Sequence, residues 1–183
     1  MEIPDFWLKQ GNPWEIERPD VVYPIRFFGH IRKYMDGGIE RAEWEGGQLV
    51  MAQAYDTPVP GYNTYNTNNL RLWRSRPYQE FNFDQFNRGD YFGAIHERQS
   101  AEYITSVLYP NDQSEQGKEL RLKQQYFFCS ASLRDIIRRF KKKHSDWTQF
   151  AQLNKIQLND THPAISTIEL LRILLDEEKL TYE

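Results

Sequence analysis

Apolar positions recur along this 183-residue chain in two different periods, and the change from one to the other falls near Gly89. Before it, "VVYPIRFFGHI" and "QLVMAQAY" are rich in β-branched and aromatic residues with partial alternation, the pattern of half-buried strands. Asp36-Gly37-Gly38 and Glu45-Gly46-Gly47 lie between them as turn signals, so a meander of three strands is predicted. "DTPVPGYNTYNTNN" reads as loop because of its prolines, glycine and asparagines, and "LRLWRSRP" as one more short strand ending at Pro77. After Gly89 the spacing becomes helical. Ala101, Ile104, Val107 and Leu108 predict a helix within Gly89 to Leu108. Tyr126, Cys129, Leu133, Ile136, Ile137 and Phe140 share one face of a long helix predicted from about Lys118 to Lys143. Ile156 to Leu158 reads as a short buried strand. A last helix, Ala164 to about Lys179, is apolar on nearly every side and is expected to be covered on every face.

Composition narrows the function classes. With 23 basic and 26 acidic residues the net charge is -3, which argues against nucleic acid or an anionic membrane as a general partner. Cys129 is the only cysteine, so no disulfide can form within the chain. No apolar run approaches the roughly 20 residues that span a bilayer. The beginning, "MEIPDFWLKQGNPWE", lacks the basic and apolar regions of a signal peptide, so a cytoplasmic protein is expected. His30, His96 and His144 have no partner at metal-ligand spacing, and no metal site is expected. Aromatic Phe6, Trp7 and Trp14 open the chain, an apolar helix nearly closes it, and no polar linker marks either end. A piece of a larger domain is expected.

Three stretches carry candidate chemistry. In "LNDTHP", Asp160 or Thr161 can cap the following helix with Pro163 in its first turn, or Asp160 and His162 can face a polar substrate at a strand-to-helix crevice. The two roles are compatible. "LYPNDQSEQGKELRLKQ" is either an exposed turn or a mobile loop guarding a pocket, with Arg121 reaching an anion. "DIIRRFKKKH" ends the long helix with five basic residues in six, either complementing the helix dipole or binding phosphate through Arg138 and Arg139.

Longer motifs add a family resemblance. "RPDVVYP", "AYDTPVPGY", "NNLRLW", "FNRGDY", "LYPND", "GKELRLKQQYF", "DIIRRFK" and "IQLNDTHP" follow one another as in glycogen (α-glucan) phosphorylases, which the chain resembles from Phe6 to Leu180. The resemblance implies an α/β fold: part of the N-terminal Rossmann-like domain of a GT-B glycosyltransferase, with a β-meander followed by long helices. Residues 1–183 would be a partial domain, without the second domain that carries the cofactor. The implied reaction is phosphorolysis of terminal α-1,4-linked glucosyl units to glucose 1-phosphate, with glycogen and inorganic phosphate as substrates. Pyridoxal phosphate would serve the parent enzyme, its attachment lysine lying outside this chain. Asp160, His162 and Arg121 are implied in the substrate pocket, and Asn111, Asp112 and Gln113 in a mobile gate loop. Arg138 and Arg139 are implied in an effector phosphate site for AMP or glucose 6-phosphate, and helix 89–101 in a homodimer contact. Gln113 and Ser114 depart from the animal enzymes, which have asparagine and phenylalanine there, so the purine-type inhibitor site of those enzymes is not expected. A non-catalytic glucan-binding or dimer-interaction module is the alternative for the isolated chain.

Overall fold

A turn at Phe28-Gly29 divides the first predicted strand in two. Both residues take positive φ, 59° and 87°, and a Cβ on Gly29 would run into the carbonyl oxygen of Glu45. The computed structural model describes residues 14–78 and 86–182, apart from the side chains of Ala94 and Glu97, so Phe6 and Trp7 lie outside the described residues. Strands β1 (Ile16–Phe27), β4 (Gln48–Pro60) and β5 (Thr67–Pro77) form an antiparallel sheet in the order β1-β4-β5. Strands β2 (His30–Asp36) and β3 (Ile39–Glu45) form a separate antiparallel hairpin between β1 and β4. The loop expected from Asp56 to Asn69 is shorter than its composition suggests. Asp56 to Pro60 continue β4 and Thr67 onward is β5, because each pairs with the other across the hairpin.

β4 is central, and its inward positions Val50, Ala52 and Ala54 are fully buried. They share a core with Val21, Ile25, Phe27 and Trp73 of the sheet and with residues of two helices. Helix α1 (Tyr91–Ser106) starts at Asp90, whose Oδ1 accepts the Gly93 N–H at 2.8 Å, an N-cap. Among its described side chains, Ala101 and Ile104 of its C-terminal half enter the core. Helix α2 (Glu115–Lys141) begins slightly earlier than predicted, where the Ser114 hydroxyl accepts the Gly117 N–H at 3.1 Å. Cys129, Leu133, Ile137 and Phe140 are buried as predicted, with Tyr126 and Ile136 half-buried beside them. The Gln124 amide of α2 donates to the Ile104 and Val107 carbonyls, both at 2.8 Å, satisfying the C-terminal end of α1.

The end of the chain differs from expectation. Ile156 to Leu158 is not a strand: the segment pairs with no described strand, and Ile156 and Leu158 are exposed. The last helix breaks into a 3-10 turn (His162–Ile165), helix α4 (Ser166–Arg172) and a π-helical turn (Ile173–Glu177), after the short 3-10 turn Trp147–Gln149 and helix α3 (Phe150–Leu153). It is covered on one face only. Ser166, Glu169 and Ile173 are buried, while Ile168 is 72% exposed and Leu171 is exposed too. The covered face joins an apolar cluster through Ile173, with Leu133, Ile137 and Phe140 of α2, to a polar one at Glu169. Glu169 accepts from Ser130 Oγ at 2.6 Å and Tyr126 Oη at 3.2 Å of α2, and from Arg172 Nε at 2.7 Å.

Candidate functional site

The start of α2 and the 3-10 turn at His162 stand side by side, and between them the "LYPND" and "LNDTHP" residues meet. Arg121, one turn into α2, donates from Nη1 to Asp112 Oδ2 at 2.7 Å. Its Nη2 lies 3.2 Å from His162 Nε2. A guanidinium can only donate, so Nε2 is the acceptor and the ring proton sits on Nδ1. That Nδ1 faces Asp160 Oδ1 at 3.7 Å. The edge of the Tyr109 and His162 rings meet at a centroid distance of 5.9 Å and 82° between planes. Asp112, Arg121, His162 and Asp160 therefore form one continuous polar chain. Arg121 and His162 are about one-third exposed and the two carboxylates more so, leaving the chain open to a polar ligand.

Capping is not the role of "LNDTHP". Thr161 makes no side-chain cap, and Asp160 Oδ1 instead accepts its neighbour's N–H at 2.5 Å and hydroxyl at 3.1 Å. Pro163 does occupy the first turn, as expected. The Thr161 N–H and hydroxyl hold the Asp160 carboxyl below the usual carboxylate range. Asp160 also has φ 66° and Tyr109 φ 54°, a left-handed backbone that non-glycine residues adopt at a cost. Asn111 Oδ1 accepts the Gln113 N–H at 2.9 Å, folding the loop on itself. Its carbonyl packs against Gly117, where a Cβ would overlap it.

Arg138 and Arg139 point elsewhere. Both bind Asp135, from Nη2 and Nε respectively at 2.9 Å, and Arg138 Nε also donates to Tyr23 Oη at 2.5 Å. Asp135 further accepts from Arg71 Nη1 at 2.9 Å, and Arg71 binds Asp56 through Nε and Nη2, both at 2.7 Å. Arg18 reaches Asp56 at 3.0 Å, diagonally across the β1–β4 pair. The result is a buried clasp of β4, β5 and α2. The Arg71 hydrogen bond is the main influence holding Asp56 below its usual range. Burial works to raise Asp135, but bonds from Arg138 and Tyr23 and the charges of Arg139 and Arg71 outweigh it and lower it. Burial, then Asp135, pushes the Tyr23 hydroxyl up to about 12.

Sequence reasoning missed Tyr109, Asp135 and the clasp. The spacing of Asp135 from Arg138 and Arg139 is a helical i, i+3, i+4 pattern and was readable. Arg71 and Asp56 gave no such signal, because strand pairing alone brings them together.

The family model described as carbohydrate phosphorylase matches residues 1–183. A glycogen phosphorylase of Saccharomyces cerevisiae is 55% identical over the whole chain, which covers 20% of that relative. Glycogen phosphorylase 2 of Dictyostelium discoideum is 54% identical, with 18% of its length covered. The H isozyme of α-glucan phosphorylase from Solanum tuberosum is 49% identical, with 22% covered. The chain thus spans about a fifth of the length of these relatives.

Proposed function

The chain belongs to the carbohydrate phosphorylase family over its whole length, and on that premise we propose that it is part of an α-1,4-glucan phosphorylase, which releases glucose 1-phosphate from glycogen or a related glucan with inorganic phosphate. Residues 1–183 are then a partial N-terminal, Rossmann-like GT-B domain. Its described strands pair antiparallel and are followed by helices. The observation that supports the reading best is the polar chain Asp112–Arg121–His162–Asp160. Asp160 and His162 offer an acceptor and an imidazole to sugar hydroxyls, while Arg121 offers a fixed cation to an anion. Asn111, Asp112 and Gln113 are the gate over this wall.

Pyridoxal phosphate in this family would need a lysine amine held in a dry pocket. Among the described residues no lysine is buried, so none of these supplies that attachment, and no catalytic step is drawn through the cofactor. Arg138 and Arg139 are the effector phosphate site for AMP or glucose 6-phosphate, with Asp135 as the internal competitor. A homodimer forms through helix 89–101. Exposure of Tyr91, Phe92 and Ile95 supports that contact and equally favours the second reading, a non-catalytic interaction module. The location is cytoplasmic.

The test compares the 183-residue chain with a full-length phosphorylase carrying this segment. The full-length protein should convert glycogen and phosphate to glucose 1-phosphate, while the chain alone should show neither turnover nor one borohydride-fixed pyridoxal phosphate per chain. Absence of phosphorolysis by the full-length protein overturns the reading.

A further inference from the structure

We propose that Arg121 is a positioning residue, a proton-sensitive latch that holds the 109–113 loop against the His162 wall. The inference rests on the reading of that loop as a gate, and deepens it by naming what keeps it shut. Four observations converge. Arg121 binds the loop through Asp112 at 2.7 Å and the wall through His162 at 3.2 Å. The Tyr109 ring, from the near end of the loop, packs edge-on against the same imidazole. The Asn111 carbonyl occupies the space that a side chain at Gly117 would fill. Tyr109 itself is held at φ 54°, so the closed loop stores backbone strain that opening can relieve.

The switch follows from which atom carries a proton. Only neutral His162 has a lone pair on Nε2 to accept from Arg121. When Nε2 takes a proton from solvent, that lone pair is gone and two cations stand about 3 Å apart. The groups facing His162 are Arg121 from α2, Asp160 from its own turn, the uncharged Tyr109 ring, and Asp112 through Arg121. Asp160 can satisfy the imidazolium, whereas Arg121 is repelled and leaves with Asp112 still bound to it. Acid therefore opens the loop. The half-exposed pair calls for a modest effect.

Hydrogen exchange of the 109–117 peptide in the full-length protein tests this, corrected for intrinsic rates, at a series of pH values from neutral toward acid. Wild-type exchange should rise roughly two- to fivefold toward acid. His162→Gln should lose that response. Arg121→Gln should exchange faster at every pH, and Asp112→Ala removes the same bond from the exposed side should Arg121→Gln fail to fold. An acid response that survives in His162→Gln, or loop protection unchanged in Asp112→Ala, overturns the latch. Phosphorolysis measured on the same preparations separates the two ideas: activity with an indifferent loop defeats only the latch, and a responsive loop without activity defeats only the enzyme.

Discussion

Asp160 and His162 put the sharpest demand on a single side chain. Asp160 sits at φ 66°, which asparagine tolerates as well as aspartate does, and it caps no helix. Asp160→Asn should therefore leave the melting temperature nearly unchanged while removing the charge that the proposed pocket presents. The expected cost is roughly ten- to a hundredfold in kcat/KM. His162→Ala should fall by a similar factor. Steady-state phosphorolysis and thermal melts of the full-length enzyme check both, and an unchanged kcat/KM removes these residues from the pocket. Their chemistry was legible in the motif, because carboxylate and imidazole stood out at the start of an apolar helix. Their geometry was not, since a left-handed residue leaves no mark in composition unless it is glycine. Arg121 was legible as an anion binder and, through the family resemblance, as a pocket residue, but its bridge between loop and wall needs two segments 41 residues apart in sequence.

At the scale of elements, the clasp joins two strands to α2 by charge. Asp56 and Asp135 are both held below the ordinary carboxylate range, so they stay ionised in the fold more readily than in the unfolded chain. Their contribution is present above about pH 4 and is lost as pH falls through the lowered folded values. Urea midpoints should thus drop between about pH 4 and pH 2, and the drop should shrink in Asp56→Asn, which is less stable at neutral pH because Arg71 loses a buried partner. An identical acid profile in the variant would show that the clasp does not carry this dependence. The long helix and the strand cores were legible because their stripes are apolar and regular. The last helix misled because periodicity reports greasy faces and not what covers them. Its buried face carries Ser166, Ile173 and Glu169, the last matched to Ser130 and Tyr126, and its outward face keeps Ile168 and Leu171.

For the whole molecule, the N-terminal half of α1 exposes Tyr91, Phe92 and Ile95, with Phe92 at 88%. Phe92→Glu should shift a full-length dimer toward monomer in sedimentation velocity without lowering the melting temperature of the protomer. A dimer of unchanged strength would place the contact elsewhere. Overall architecture was legible mainly through the family motifs. The insertion of the β2–β3 hairpin between β1 and β4 was not, since it depends on a two-residue reversal at Phe28-Gly29. One further consequence belongs to Cys129, buried on α2 within the helix face that meets α4, where burial pushes its thiol up. As the only sulfhydryl in these 183 residues it is a silent reporter. A thiol reagent should pass it by while α2 stays docked and modify it only when the helix lifts, so the labelling rate of the isolated chain reads the frequency of that opening directly.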